Sequence, residues 1–179
     1  MEKVPSIKTT LLHIVRGGET LLAKQQRVIV GLKSYGGKIE PGQTIEENMC
    51  QETFEEGGLI VQPEDIEIVA MIDFYNCNGF VPNNPSVRMW CGVTEVFEGT
   101  PISTPEMMDP KWYPIDNLPF SDMILGDELF IPAVLRRKHR YGWIFRDVKK
   151  DDNGNLNFLK VTGSCILPKS WERAVKAFY

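Results

Sequence analysis

Three glutamates, Glu52, Glu55 and Glu56, are spaced so that one stretch of helix would bring their carboxylates to one face. At about 100° per residue they fall within an arc of about 100°. Like charges at this spacing repel by roughly 0.2–0.5 kcal/mol per pair unless a cation lies between them. Mg²⁺ prefers carboxylate oxygens and commonly works beside substrate phosphates. The pattern therefore suggests a magnesium-dependent phosphate site, and the alternative is an ordinary solvated acidic surface.

A glycine-rich loop precedes the helix that must position these glutamates. Its glycines are Gly36, Gly37 and Gly42. Glycine permits backbone conformations that other side chains forbid, and it lets main-chain oxygens approach a ligand closely. Thr44 with Glu47 three residues later predicts a capping box, and Gly57-Gly58 predicts the end of the helix. We therefore expect a helix from about residue 45 to about residue 56, with Cys50 and Phe54 on the side away from the glutamates.

The stretch from Gly37 to Leu59 resembles the Nudix box. The positions that match the family pattern are Gly37, Glu52, Glu55, Glu56, Gly58 and Leu59. Three positions depart from it: Gln43 replaces a glutamate, Gln51 replaces an arginine, and Thr53 replaces a hydrophobic residue. The resemblance implies that this glutamate and arginine pair to hold the loop against the helix. Two glutamines can still hydrogen-bond to each other, so we interpret the change as a compensated exchange rather than as inactivation.

The similarity extends over residues 5–145, because short motifs from Gly99-Thr-Pro to Phe130-Ile-Pro132 follow in the order of one branch of the family. That branch comprises the oxidised purine nucleoside triphosphatases, which hydrolyse 8-oxo-dGTP. The resemblance implies an α/β/α sandwich with a mixed central sheet. It also implies a single Nudix hydrolase domain over residues 1–179, with a C-terminal extension over about 164–179.

The resemblance implies the residues that carry out the reaction. The metal ligands would be Gly36, through its carbonyl, and Glu52, Glu55, Glu56 and Glu106. Glu52, Glu55 and Glu56 would be the catalytic residues, with either Glu52 or Glu56 as the general base. The metal role of Glu106 depends on the resemblance, since a glutamate in a loop is normally surface. Mg²⁺ is the expected cofactor, with Mn²⁺ as the alternative ion.

The resemblance also implies a set of substrate contacts, in which the base pocket departs from the branch. These residues are Thr9, Lys33, Gly37, Lys38, Phe74, Ile124, Gly126 and Asp127. Where the branch has a tryptophan-proline-aspartate-aspartate run, this chain has Ile124-Leu125-Gly126-Asp127, and Lys33 replaces an asparagine that reads the base. Loss of a stacking indole and a paired carboxylate predicts a different base or lower selectivity. Phenylalanine in a strand is usually part of the core, which is the alternative role for Phe74.

Together these observations predict a Mg²⁺-dependent hydrolase that cleaves a modified purine nucleoside triphosphate to the monophosphate and pyrophosphate, with nucleotide-pool sanitisation as its role. A second hypothesis keeps the chemistry but changes the substrate to a dinucleoside polyphosphate, a capped RNA end or a nucleotide sugar. A third hypothesis, motivated by Gln43 and Gln51, is a module that binds a nucleotide without hydrolysing it.

The rest of the chain predicts strands and one further helix. We expect strands over residues 7–15, 20–24, 66–75 and 86–97, a loop or short strand over 25–30, and a hairpin of 141–148 with 157–161. The pattern over 127–140 predicts a helix with an apolar face and a basic end, which would meet solvent rather than nucleic acid. Residues 167–179 predict a capped amphipathic helix that packs on the domain or forms a dimer contact.

Composition limits the function classes. The chain has 179 residues, 42% of them hydrophobic, and a formal charge of -4, which fits one soluble globular domain. The acidic balance argues against binding of duplex nucleic acid, and neither a membrane span nor a secretory signal is visible. The four cysteines lack a Cys-x-x-Cys spacing and favour reduced thiols. We expect a cytoplasmic protein, with the nucleus as the alternative compartment, that binds a nucleotide as a monomer or homodimer.

Overall fold

The computed structural model describes residues 5–26, 28–77 and 82–167. Within them the strands are β1 (Ile7–Arg16), β2 (Glu19–Gln25), β3 (Gly31–Lys33), β4 (Glu67–Cys77), β5 (Val87–Thr94), β6 (Met107–Pro114), β7 (Arg140–Lys150) and β8 (Leu156–Leu167). The α-helices are α1 (Ile45–Gly57) and α2 (Ile131–Leu135), and Pro63–Asp65 and Asp127–Leu129 form short 3₁₀ turns. None of the helices in these ranges has the length and apolar composition needed to cross a bilayer.

The strands form a single mixed sheet. Its order is β3-β2-β1-β5-β4-β7-β8, and β6 pairs with β2 beside this path. The β1/β5 and β4/β7 pairs are parallel, whereas the other pairs are antiparallel. The predicted mixed central sheet is thereby confirmed.

Both faces of the sheet are covered, so the strands alternate between two cores. On β1, Leu11 joins the core that contains Val134 of α2, whereas its neighbour Leu12 joins the core that contains Met49 of α1. Successive side chains of a strand point to opposite faces, which is why adjacent leucines serve different layers. The predicted α/β/α arrangement is thus confirmed, with α1 on one face of the sheet and α2 on the other.

The ends of α1 form as predicted. The Thr44 hydroxyl accepts the Glu47 amide at 3.1 Å, and the Glu47 carboxylate accepts the Thr44 amide at 2.8 Å. At the other end Gly58 adopts a left-handed conformation, with φ of 69°, and its amide donates to the Phe54 carbonyl. Both capping predictions are confirmed, and the helix ends one residue later than expected.

The single helix predicted over residues 127–140 is wrong. The structure has a 3₁₀ turn at Asp127–Leu129, then α2 at Ile131–Leu135, and Arg140 already belongs to β7. Pro132 in the first turn of α2 has no amide to donate, so the preceding turn does not continue into the helix. Arg137 has a φ of 51°, which ends the helical path before the basic run is complete.

Acidic partners neutralise much of the basic run. Arg137 pairs with Glu67 and with Glu95, and Arg136 pairs with Asp116 at 2.7 Å. These are exposed or half-exposed ion pairs. Their presence agrees with the interpretation of this run as solvent-facing surface.

Several elements differ from the expected boundaries. The short strand considered within residues 25–30 is instead β3, which begins one residue after that range. No strand was predicted where β6 lies. The predicted C-terminal hairpin is confirmed but longer, since β7 and β8 continue on both sides of the turn at residues 151–155. The predicted C-terminal helix lies outside the described residues except for Leu167, which ends β8.

Asp73 and Arg88 form a buried ion pair between β4 and β5, with nitrogen–oxygen distances of 2.7 and 3.0 Å. We expect Asp73→Asn to lower the free energy of unfolding by about 3 kcal/mol, because it leaves a buried guanidinium without its counter-charge. Urea unfolding measures this change. The matched control is Asp116→Asn, in an exposed pair, which should cost less than about 1 kcal/mol. Equal effects of the two substitutions would contradict the prediction.

Candidate active site

The glycine loop follows β1 so closely that its backbone conformation depends on glycine. The Thr10 amide donates to the Gly37 carbonyl at 2.9 Å, and the Ile39 amide donates to the Lys8 carbonyl at 3.0 Å. Gly36 has a φ of 151°, and a Cβ there would lie 2.3 Å from the Thr10 carbonyl oxygen. Any other residue would force the loop away from β1, so Gly36 is required for this path.

The predicted carboxylates meet in one cleft. A cavity of about 270 Å³, here called the acidic cleft, is lined by Glu52, Glu55, Glu56, Thr104, Pro105 and Glu106. Glu56 is only 6% exposed, and one of its carboxylate oxygens accepts the Gly36 amide at 3.0 Å. Glu52 is half-buried and its carboxylate lies against Gly37. Helix α1 and the loop before β6 thus bring four carboxylates together.

Burial and mutual repulsion raise the pKa of two of these carboxylates, Glu52 and Glu56. Burial raises the pKa of Glu52 to about 7, and the charges of Glu56 and Glu55 act in the same direction. Burial also raises the pKa of Glu56, although the Lys33 charge and the Gly36 amide oppose this shift. The cleft therefore holds negative charge that the protein only partly compensates.

The two glutamines of the box form the predicted neutral brace. The Gln43 side-chain amide donates to the Gln51 side-chain oxygen at 2.7 Å. The Gln51 amide then donates to the Glu55 carboxylate at 2.8 Å, so the brace also orients the third glutamate. The compensated exchange is confirmed as geometry.

Asn48 is a second brace that sequence reasoning missed. It is 1% exposed; its side-chain oxygen accepts the Thr10 hydroxyl, and its amide donates to the Lys38 carbonyl at 2.9 Å and to the Gln43 side chain at 3.0 Å. It therefore ties α1 to both β1 and the glycine loop. An asparagine inside a helix, where it has low propensity, was the available signal.

Thr104 fixes the loop that carries Glu106. Its hydroxyl donates to the Glu56 carbonyl at 3.2 Å and accepts the Met107 amide at 3.1 Å. The Ile102 amide also donates to the Gly57 carbonyl at 3.0 Å. The end of α1 and the Glu106 loop are therefore held as one unit.

The two lysines predicted to contact substrate lie in different surroundings. Lys33 is half-buried, and its ammonium donates to the Gly36 carbonyl at 2.8 Å. Lys38 is exposed, and its ammonium lies 3.5 Å from the Glu40 carboxylate. Lys33 therefore reaches the glycine loop beside the acidic cleft, whereas Lys38 lies at the surface of the loop.

The predicted base-pocket residues meet around a guanidinium that was not anticipated. Arg146 of β7 lies over the Phe74 ring at 4.1 Å and over the Phe158 ring at 3.9 Å, and it donates to the Leu125 carbonyl at 3.3 Å. Asp127 is buried nearby, and burial raises its pKa to about 7 against the opposing Arg146 charge. Phe74 is thus packed in the core on a cation rather than open to the solvent.

The remaining predicted contacts lie in different places, and only Gly126 is close to Arg146. Gly126 has a φ of 102°, which admits the turn above Arg146. Ile124 lines a separate cavity of about 540 Å³, together with Phe120 and Phe158. Thr9, near the start of β1, is half-buried, and its hydroxyl lies 3.5 Å from the Arg88 carbonyl.

The donor chemistry of the acidic cleft suits a hard divalent cation. Its lining offers four carboxylates, and the Gly36 peptide approaches it through the amide that donates to Glu56. The described side chains do not form a ready ligand group of three or more in this arrangement. One Glu56 carboxylate oxygen is engaged by the Gly36 amide at 3.0 Å.

Comparison with known proteins identifies the family. A profile described as the NUDIX domain matches residues 8–134, and these residues include the whole glycine loop, α1 and Glu106. The chain belongs to the Nudix hydrolase family. Within this family, the oxidized purine nucleoside triphosphate hydrolase of Danio rerio is 32% identical over 136 residues, which cover 75% of this chain and 83% of that protein.

Two further comparisons agree with this assignment. The Nudix hydrolase is 30% identical over 128 residues to the oxidized purine nucleoside triphosphate hydrolase of Mus musculus, covering 66% of this chain and 78% of that one. The crystal structure of the MutT protein from Bacillus halodurans has the same fold, with a TM-score of 0.73 at 20% identity, over 91% of this chain and 99% of that one.

Gly37 gives the first prediction for this site. A Cβ there would lie 2.5 Å from the Glu52 carboxylate. We expect Gly37→Ala to displace Glu52 and to lower turnover by about 100-fold, because an error of about 1 Å in a catalytic group has this effect. Because the clash is with the end of a flexible side chain, the melting temperature should change by only a few degrees. Unchanged kinetics would contradict this assignment of Glu52.

Glu52 also gives a pH prediction. Its folded-state pKa of about 7 exceeds the ordinary value of 4.5, so between these pH values the folded protein holds a proton on Glu52 that the unfolded chain has lost. The contribution of Glu52 to the free energy of unfolding therefore falls as the pH rises from about 4.5 to about 7. We expect Glu52→Gln to stabilise the metal-free protein at pH 8 by on the order of 1 kcal/mol after solvent screening. Urea unfolding in a chelator should show this gain shrinking at pH 5. The exposed Glu64→Gln is the control, and a gain that does not depend on pH would contradict the cause.

Proposed function

We propose that this Nudix hydrolase cleaves a purine nucleoside triphosphate, with oxidised purines as the preferred class, to the monophosphate and pyrophosphate. The observation that carries the proposal is the acidic cleft, where Glu52, Glu56 and Glu106 lie beside the glycine loop. Two relatives that are 32% and 30% identical over the aligned residues are named oxidized purine nucleoside triphosphate hydrolases, which supports this substrate class.

The carboxylates of the cleft are the proposed ligands of Mg²⁺, with Mn²⁺ as the alternative. Glu56 binds the ion, Glu55, Glu106 and the Gly36 carbonyl assist, and Glu52 is the further ligand unless it serves as the general base. When bound, the ion neutralises phosphate oxygens and lowers the pKa of a coordinated water. The brace of Gln43 and Gln51 keeps Glu55 turned toward the cleft through its 2.8 Å hydrogen bond.

Glu52 is the stronger candidate for the general base. A base works best when its pKa lies near the working pH, and burial raises the pKa of Glu52 to about 7. Glu56 instead accepts the Gly36 amide at 3.0 Å, which fixes its carboxylate for a positioning or ligand role. Glu52 would thus take the proton of the attacking water, while the loop and Lys33 hold the phosphates in line.

The purine base of the substrate is proposed to bind beside Asp127. The other residues proposed to surround the nucleotide are Thr9, Lys33, Gly37, Lys38, Ile124 and Gly126. Asp127 is buried, and burial raises its pKa to about 7. Near neutral pH it would therefore be partly a neutral acid, which can donate a hydrogen bond to the purine. Phe74 contributes as the wall against which Arg146 packs. Removal of oxidised nucleotides from the precursor pool is the cellular role that this selectivity would serve.

One observation favours a larger substrate as the second candidate. The cavity of about 540 Å³ beside Ile124 is lined by Phe120 and Phe158, and aromatic walls of this kind accept a second base. A dinucleoside polyphosphate or a capped RNA end would place its second nucleoside there. The same acidic cleft would cleave the phosphoanhydride.

The decisive assay measures phosphate and pyrophosphate release with Mg²⁺ from normal, oxidised and methylated nucleoside triphosphates, dinucleoside polyphosphates and capped RNA. We expect pyrophosphate from an oxidised purine triphosphate. Glu56→Gln should lower this turnover at least about 100-fold, because it removes a charge that holds the metal. The matched control Glu64→Gln, an exposed glutamate outside the cleft, should retain it.

Each other outcome selects a different function. Faster release from capped RNA or dinucleoside polyphosphates would replace the proposed substrate with the second candidate. Tight nucleotide binding by calorimetry, with no product over hours, would replace hydrolysis with a binding module. Full Mg²⁺-dependent turnover by Glu56→Gln would contradict the metal role of Glu56.

A further inference from the structure

Lys33 holds the main-chain oxygen that the proposed function assigns to the metal. It ends β3, three residues before Gly36, and its ammonium donates to the Gly36 carbonyl at 2.8 Å. The resemblance of the sequence placed Lys33 among base-reading residues. In the structure its charge instead reaches the edge of the acidic cleft.

Lys33 has acidic side chains around it, both in the acidic cleft and at Asp127. Its charge lowers the pKa of Glu52 and of Glu56 against the larger effect of burial, and it acts in the same direction on Asp127. Glu56 also accepts the Gly36 amide, so the ammonium, the Gly36 peptide and the carboxylate form one connected group. Lys33 is therefore a counter-ion for the cleft as it stands.

We propose that Lys33 is an exchangeable counter-ion, whose ammonium binds the Gly36 carbonyl in the free protein and moves to the polyphosphate of the substrate when a divalent ion takes that carbonyl. This inference depends on the metal role assigned to Glu56 and Gly36 under the proposed function. A lysine suits the exchange, because its ammonium is a compact charge on a flexible four-carbon stem.

The exchange couples metal binding to nucleotide binding. A cation that approaches Gly36 and the carboxylates meets repulsion from the ammonium at 2.8 Å from the same oxygen. A polyphosphate accepts the displaced ammonium and so removes this repulsion. Metal and polyphosphate should therefore raise each other's affinity by one common factor, since coupling between two binding equilibria is reciprocal.

A structural role predicts the opposite pattern. If Lys33 only fastened the glycine loop, its loss would loosen the loop, weaken metal binding and leave the coupling with polyphosphate intact. The exchange instead predicts that removal of the ammonium tightens metal binding in the absence of polyphosphate. The sign of the change thus separates the two roles.

The test measures Mn²⁺ binding to the full chain by electron paramagnetic resonance, with and without inorganic tripolyphosphate. We expect Lys33→Met to bind Mn²⁺ about tenfold more tightly than the wild type when tripolyphosphate is absent. The gain in Mn²⁺ affinity on adding tripolyphosphate should fall by a similar factor. Lys33→Arg, which retains the charge, should preserve most of the coupling.

Lys24→Met is the matched control, because Lys24 is an exposed lysine on β2, which pairs with β3. It should leave both the Mn²⁺ affinity and the coupling at wild-type values. Thermal melts of all variants establish that they are folded. Equal or weaker Mn²⁺ binding by Lys33→Met, with the coupling retained, would overturn the exchange.

Glu56→Gln in the same titration separates this inference from the proposed function. If Glu56→Gln loses Mn²⁺ binding while Lys33→Met behaves as the wild type, only the exchange is wrong. If Glu56→Gln binds Mn²⁺ as the wild type does, the metal site itself is wrong, and the exchange fails with it.

Discussion

Repulsion between carboxylates is the constraint around which the active site is built. Glu52 and Glu56 lie on one face of α1, partly buried, and Glu106 approaches from the loop before β6. Such a cluster weakens the fold unless other groups compensate its charge. Here the compensation comes from the Gly36 amide in the glycine loop and from the Lys33 ammonium at the end of β3. Stability and function therefore depend on the same few contacts.

Those contacts require the loop to remain fixed against the sheet. Gly36 fits against the Thr10 carbonyl only because it lacks a side chain, and Asn48 joins α1 to β1 through the Thr10 hydroxyl. Thr104 joins the end of the same helix to the Glu106 loop. Helix, loop and sheet are thus locked together by polar contacts around the cleft, while the two apolar cores hold the layers.

The residues predicted to form the base pocket depart from the pattern of the branch that the sequence resembles. The stacking residue and one aspartate of the branch are replaced, and Arg146 lies between the rings of Phe74 and Phe158. A guanidinium held between two aromatic faces fills a position that a planar ring could otherwise take. Arg146 therefore changes the surroundings of Phe74 from those that the resemblance implies.

Local patterns in the sequence determined the capped helix and the shared face of its glutamates, because these features depend on residues within about two helical turns. The resemblance to the Nudix box predicted the pairing of Gln43 with Gln51 and the place of Glu106 with the helix glutamates. Only the tertiary structure decided that Lys33 turns to Gly36 and that Arg146 covers Phe74. These contacts depend on strand register and on chain turns. One such turn is the 3₁₀ turn before α2, which does not continue into the helix because of Pro132. Register and chain reversal join residues far apart in sequence, and no local periodicity encodes which of them meet.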